Sequence, residues 1–347
     1  MRVRFATPIL LSLLLLSGSA LAEVRDPVPS HVFELAEGQN VVGELQRIRA
    51  REEDTFADLA RLFDLGYDEL GAANPGIDPW LPGAGTEILL PTQFILPDAP
   101  RDGVVLNLAA MRLFYFPPAD KHGKRKVFTH PIGIGRVGWS TPLGSTKVTA
   151  KATNPAWYVP KSVLEEHAAD GDPLPPVVPP GPDNPLGQHV LRLGMPSYLI
   201  HGTNKPWGVG MRVSHGCIRL YPEDIAELYR IVPVGTPVHI VEQPYLAGWV
   251  GKELVFSARL PLEESGGDWL AALELVDAQL NSVADKSGKP EVDWGRLARI
   301  TREGQGIPLP IVAGSEDPQE WVEQAPLVRP VAVANYQPPA EEVPPEG

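Results

Sequence analysis

The sequence predicts a mainly β protein: a central β domain, a small α/β module before it, and a helical, partly disordered extension after it. Three observations predict this. Pro at 39 residues and Gly at 33 favour turns and strands over long helices. β-rich runs punctuated by turn residues recur between Val104 and Val241. Helical periodicity is concentrated on the two flanks, with one central exception after Pro222. A hydrophobic content of 43% over 347 residues is ample for a core.

The first 22 residues read as a secretory signal. Arg2 and Arg4 precede an apolar stretch through Ile9-Leu10-Leu11 and Leu13-Leu14-Leu15-Leu16, and Ala20-Leu21-Ala22 offers a small-x-small cleavage site before Glu23. The stretch is short for a membrane span, and no later run approaches the roughly 20 apolar residues needed. An exported chain without a transmembrane anchor is therefore predicted, cut after Ala22. The net charge of -13 argues against nucleic acid as a partner.

Residues 35–95 read as a small module. Phe56, Leu59, Leu62 and Phe63 share one helix face, with Asp54 or Thr55 as N-cap. Gly66 stops that helix, Tyr67-Asp68-Glu69-Leu70 starts a second, and Asn74-Pro75-Gly76 ends it. A strand follows at Glu87-Ile88-Leu89-Leu90. This order, with Ala73-Asn74-Pro75-Gly76 and Ile88-Leu89-Leu90-Pro91, resembles the LysM module, and the resemblance implies binding of an N-acetylglucosamine-containing glycan. Its first strand would fall near Val41 to Ile48, where the pattern is indistinct. A generic helical lead-in remains open.

The β domain is predicted over 102–242. Val104 to Leu108 and Arg112 to Phe116 form a hairpin, and Lys126 to Gly135 continues the strands. The run Ile132-Gly133-Ile134-Gly135-Arg136-Val137-Gly138 is no dinucleotide fingerprint, because turn residues rather than a helix follow it. Its glycines mark bulges or close backbone approach. The Pro-rich stretch Asp170 to Leu186 is too long for a plain connector and reads as a lid, a groove wall or a surface excursion. Pro222-Glu223-Asp224 opens a helix with Ile225, Leu228, Tyr229 and Val232 on one face. Residues 243–303 hold two helical patterns, Asp268 to Gln279 and Trp294 to Thr301, forming either a partner-binding helix pair or a solvated appendage. Residues 304–347, rich in Pro, Glu and Ala, are predicted to be disordered.

The chain contains one cysteine, Cys217, in Ser214-His215-Gly216-Cys217-Ile218-Arg219-Leu220. One cysteine cannot form an internal bridge, and an exported thiol is open to oxidation, so it is either buried filler or a nucleophile. Thiol catalysis needs a base, a group that orients the base, and oxyanion donors. His201, at the end of the run Tyr198-Leu199-Ile200, supplies a base. An adjacent imidazole can pull the thiol below its usual pKa near 8.5. Gly216 would let backbone amides face a tetrahedral intermediate, and an extended segment would put His215, Cys217 and Arg219 on one face. His215 is the rival base. Zinc held by His201, His215 and Cys217 is an alternative, although His-x-Cys lacks the usual ligand spacing.

His201-Gly202-Thr203, Gly208 and Ser214-His215-Gly216-Cys217-Ile218-Arg219-Leu220 together resemble the signature of L,D-transpeptidases with a YkuD-type catalytic domain. Pro131-Ile132-Gly133-Ile134-Gly135, Thr141-Pro142 and Pro179 to Pro185 extend the likeness to a peptidoglycan-tailoring branch, over roughly residues 35 to 245. The resemblance implies a β-sandwich-like domain without metal or cofactor. It implies that Cys217 attacks a tetrapeptide stem at meso-diaminopimelate and expels the terminal D-Ala. His201 would then be the base, oriented by the carbonyl of Gly202. Ser214, His215, Gly216 and Arg219 would support the oxyanion and bind substrate. The acceptor would be a second stem, giving a 3-3 cross-link, or the lysine of an outer-membrane lipoprotein, in the periplasm. The rival function is a non-catalytic peptidoglycan-binding protein acting through the LysM-like module.

Overall fold

The computed structural model describes residues 25–27, 31–262, 269–283 and 290–329. The expected signal at 1–22 lies outside the described residues. Among those described, no helix is long and apolar enough to cross a membrane.

The N-terminal region follows its sequence pattern closely. Helix Phe56–Leu62 starts at Thr55, whose hydroxyl accepts from the Asp58 amide at 3.2 Å, and buries Phe56 and Leu59. Helix Tyr67–Ala73 follows, and the buried Asn74 side chain then bonds Leu70 and Leu89, locking the turn to strand Glu87–Leu90. That strand pairs antiparallel with Gln46–Arg49, inside the stretch whose strand pattern was indistinct in sequence. Gln46 and Ile48 are buried and Arg49 is exposed, so a polar residue faces inward and masks the alternation.

A nine-stranded sheet forms the centre of the protein. It runs in the order Val32–Leu35, Arg125–Pro131, Arg112–Phe116, Gly103–Asn107, Pro237–Val241, Gly144–Thr153, His189–Leu193, Leu199–His201, Ile218–Arg219. Leu113 and Tyr115 from one half share a core with Ile200 and Ile218 from the far edge, around helix Pro222–Ile231. The sheet therefore curls over that helix, which buries Ile225 and Leu228. On its other face, Val105, Phe114, Phe116 and Val127 pack against Phe56, Leu59, Leu70 and Ile88 of the N-terminal region. The mainly β class holds.

Charged groups are sealed in this junction. Arg112 donates to Glu69 at 2.9 and 3.2 Å, to Thr129 at 3.2 Å and to the Asp64 carbonyl at 2.8 Å, while lying 4.0 Å over the Phe94 ring. Close by, His130 sits between Asp64 and Asp224. Burial alone would favour a neutral ring, but the two carboxylates override it and raise its pKa to about 10.

The C-terminal region departs from expectation. Strands Tyr245–Val250 and Glu253–Ala258 form a hairpin that the sequence reading omitted, and Leu309–Pro310 adds a third strand. Helices Trp269–Val283 and Trp294–Glu303 confirm the two helical patterns. Their core includes Leu45, Ala73 and Leu89 of the N-terminal region together with Leu254, Val276 and Leu297. The extension is thus a packed layer rather than a solvated appendage. The disorder expected over 304–347 is corrected for residues 304–329, which include Leu309–Pro310 and helix Pro318–Glu323, capped by Asp317; residues 330–347 lie outside the described residues. Ile307, Leu309 and Ile311 are buried, which the Pro-rich composition concealed. Leu327 bridges to Arg47 and Val328 to Arg25, bringing opposite ends of the described chain together.

The Pro-rich stretch is anchored. Trp157–Tyr158 pairs with Val177–Val178, enclosing helix Lys161–Ala169 between them. The buried Asn184 amide donates to the carbonyls of Pro155, Val178 and Pro179, and its carbonyl accepts from Leu186. Removing that hub strands the buried Pro155 carbonyl and loosens two part-buried ones, so Asn184→Ala should lower unfolding free energy by about 1–3 kcal/mol. A denaturant titration checks this, with limited proteolysis reporting loosening around residues 170–187.

Candidate active site

The site grows from the edge of the sheet. Tyr198-Leu199-Ile200 is β-prone, and Leu199–His201 pairs antiparallel with His189–Leu193 on one side. On the other it pairs in parallel with Ile218–Arg219, matching Ile200 to Ile218 and His201 to Arg219. Parallel pairing demands a crossover, and residues 202–217 provide it through the turn Pro206–Gly208 and the strand Arg212–Ser214, which pairs with Ile134–Gly135. The N-terminal region braces this crossover: the amides of Tyr67 and Asp68 donate to the carbonyls of Val209 and Gly210 at 3.2 and 3.3 Å. The fit is backbone on backbone, since a Cβ on Gly210 would stand 2.2 Å from the Gly66 Cα.

The register brings Cys217 next to the strand that ends in His201. Ile200 and Ile218 are buried in the core, so their strand neighbours His201 and Arg219 turn to the opposite face. Cys217, directly before the short strand, lies one diagonal step from His201. The His201 ring is buried and its Nδ1 lies 2.6 Å from the Gly202 carbonyl. A carbonyl only accepts, so the proton of the neutral ring sits on Nδ1 and Nε2 keeps its lone pair. Burial, helped by the charge of Arg219 and opposed by the backbone of Gly202 and Leu186, lowers the His201 pKa to about 3.

Cys217 is half-buried and unbridged, with Sγ 3.5 Å from the Ser197 carbonyl. Burial pushes its pKa up, against the Leu199 backbone and Arg219, which pull it down. The imidazole does not lower the thiol as the sequence suggested, because a neutral ring exerts no cationic pull. At rest the thiol and the imidazole are both neutral, so they form no standing ion pair.

The turn before Cys217 is built from the predicted residues. Gly216 has φ +97, and a Cβ there would meet Tyr198 at 3.1 Å and the Trp139 carbonyl at 3.3 Å. Ser214 donates to the Cys217 carbonyl at 2.6 Å and accepts from the Gly216 amide at 3.2 Å, so that amide is engaged rather than open to an oxyanion. Thr141 donates to the Gly216 carbonyl at 2.8 Å. Gly135, where a Cβ would meet the Trp139 carbonyl at 1.8 Å, shows that the Gly run serves close backbone packing. A cavity of about 330 Å³ adjoins the turn and is lined by Gly135, Thr141, Arg212 and Glu242. The Arg219 Nε is buried without a hydrogen-bond partner.

His215 is held elsewhere. The left-handed Gly216 breaks the alternation expected of residues 215, 217 and 219. The His215 Nε2 lies 2.9 Å from Glu166 and 3.2 Å from Arg136, and its ring packs edge-on against Trp139 at 4.8 Å. Glu166 also pairs with Arg136, which cancels much of its field, and burial together with Arg136 lowers the His215 pKa to about 4. Glu166, Arg136 and Trp139 were not singled out in the sequence. The one local signal was Pro160 ahead of helix Lys161–Ala169. Zinc on His201, His215 and Cys217 is not supported: among the described residues, the one trio with ligand atoms within 4.8 Å is Asp64, His130 and Asp224.

The family model YkuD, the L,D-transpeptidase catalytic domain, matches residues 101–240. The chain is 38% identical over 297 residues to "Probable L,D-transpeptidase YbiS" of Escherichia coli (strain K12), covering 84% of this chain and 93% of that protein. It is 35% identical over 295 residues to "Probable L,D-transpeptidase ErfK/SrfK" of Salmonella typhimurium (strain LT2), covering 80% and 90%. A third relative, "Probable L,D-transpeptidase YcfS" of Escherichia coli (strain K12), is 44% identical over 213 residues, covering 60% and 65%. Matched along nearly the whole of YbiS and ErfK/SrfK, the chain belongs to the L,D-transpeptidase family and is an enzyme rather than a catalytically silent binding protein.

Proposed function

We propose that this L,D-transpeptidase works on peptidoglycan through a Cys217 thioester. The observation that supports the reading is the parallel pairing of Leu199–His201 with Ile218–Arg219, which sets Cys217, just before the second strand, beside the first, with the His201 ring fixed by Gly202. Sγ attacks the carbonyl at the L-centre of meso-diaminopimelate in a tetrapeptide stem while His201 Nε2 takes the thiol proton. The C–N bond to D-Ala breaks, His201 returns the proton to the departing amine, and a thioester remains. An acceptor amine then attacks the thioester, giving up a proton through His201 as the thiol re-forms.

Arg219, whose Nε lacks a partner, is suited to a stem carboxylate, and the cavity beside Gly216 gives room for part of the stem. The strand-helix-helix-strand order of the N-terminal region supports a LysM-like role in binding glycan. There Trp80 is 62% exposed and lies 6.3 Å from the Tyr67 ring, an aromatic surface for a sugar face. The site of action would be the periplasm. The acceptor would be a lipoprotein lysine or a second stem.

A carbapenem tests the reading, because its strained amide is opened by an activated thiol. The full chain should gain one adduct by intact mass, and Cys217→Ala none. A wild-type chain with a reduced, accessible thiol and no adduct would overturn it. Muropeptide analysis of a deletion strain would then score 3-3 cross-links and wall-bound lipoprotein separately.

A further inference from the structure

Where the N-terminal helices meet the central sheet, three potential ligands from distant parts of the chain converge. Asp64 follows the first helix, His130 lies on strand Arg125–Pro131, and Asp224 sits in the first turn of helix Pro222–Ile231. All three are buried, and one ligand atom from each lies within 4.8 Å of the others. His130 Nδ1 stands 3.1 Å from Asp64 Oδ2 and 3.5 Å from Asp224 Oδ1. We propose that these residues bind one divalent transition-metal ion, zinc foremost, which staples the N-terminal region to the catalytic domain.

A protonated His130 between the two carboxylates answers only part of the polar accounting. One N–H on Nδ1 faces two carboxylates and can be donated well to only one of them. The second oxygens, Asp64 Oδ1 and Asp224 Oδ2, are sealed from solvent with no hydrogen-bond partner. Buried oxygens of that kind are costly unless something positive meets them. Zinc with bonds of about 2.0–2.1 Å in a tetrahedral site sets its ligands about 3.4 Å apart, close to the two separations observed. A nitrogen with two carboxylate oxygens is a donor set zinc accepts.

The far side of the ring fits the same assignment. Binding through Nδ1 puts the ring proton on Nε2, which is buried and has no hydrogen-bond partner. The nearest carboxylate is Glu227 Oε2, 3.7 Å away. A small closure would give the carboxylate–histidine–metal relay that orients many metal ligands. Neither Cys217 nor His201 belongs to the cluster, so the ion is structural.

The thiol could itself capture zinc, so the experiment uses the full chain carrying Cys217→Ala. After loading and dialysis it should retain one zinc per chain, and melt at a higher temperature than the chelated protein. Cobalt in place of zinc should give visible d–d absorption without thiolate charge transfer. His130→Gln and the near-isosteric Asp224→Asn should each weaken zinc binding by about tenfold or more, and Glu227→Gln by about tenfold. Circular dichroism establishes that each variant is folded. Absence of stoichiometric zinc in the parent would overturn the proposal, as would undiminished affinity in folded Asp224→Asn. The trio would then be a proton-sharing latch.

Discussion

Replacing His201 with alanine should slow transpeptidation by about 10²–10⁴-fold, the usual worth of a positioned base. The thiol is pushed up by burial and cannot rely on spontaneous ionisation, so its proton must leave as the C–S bond forms. His201, unprotonated down to about pH 3 in the resting site, has a free lone pair throughout the neutral range, and the negative charge that develops during attack raises its basicity as the C–S bond forms. Acylation by a carbapenem should therefore vary little with pH in the wild type near neutrality. In His201→Ala it should rise about tenfold per pH unit, following the thiolate alone. His215→Ala should retain the shallow wild-type profile, because its Nε2 is engaged by Glu166 and Arg136. Loss of the profile in His215→Ala with retention in His201→Ala would exchange their roles. The depressed His201 pKa also predicts a stability trend. Below about pH 6.5 the unfolded ring takes up a proton that the folded ring refuses, so stability falls as pH drops towards 3.

Arg112→Ala should cost about 3–5 kcal/mol, because it leaves Glu69 buried without its closest cation. The Arg112 side chain is only 2% exposed and Glu69 9%, so water cannot replace the lost contacts. Arg259, 3.6 Å from Glu69, offers partial compensation. The same change removes donors to Thr129 and to the Asp64 carbonyl, and empties the space over Phe94. A urea titration would read the loss directly. A midpoint unchanged from wild type would show that Arg259 substitutes fully.

Features with local causes were legible in the sequence. Thr55, Gly66 and Asn74 delimit two helices, and Pro222 with its acidic neighbours starts a third. The pairing of the strand ending in His201 with the segment after Cys217 could be expected from a β-prone run and a loop long enough to return the chain. What escaped depends on distant partners. Asp64, His130 and Asp224 look like ordinary surface residues until three elements meet. Helix Lys161–Ala169 buries only Val163, so its pattern carried little signal. The strand Leu309–Pro310 is two residues long and exists because Val255 and Phe256 receive it. The one-face alternation expected of residues 215, 217 and 219 is broken by a single residue: Gly216 takes a left-handed turn that a strict alternation cannot represent.

The meeting of Arg25 with Val328, and of Arg47 with Leu327, bears on how the protein is made. Contacts between such distant positions close late, because the intervening loop entropy must first be overcome. Until the last strand and helix emerge, Leu45, Ala73 and Leu89 lack the partners that cover them. A partly synthesised or truncated chain would thus present an apolar face beside the edge of strand Gln46–Arg49 that lies opposite its partner Glu87–Leu90. The C-terminal layer is tied to solubility: ending the chain before Leu309, which removes that strand and helix, should produce aggregation rather than a smaller enzyme.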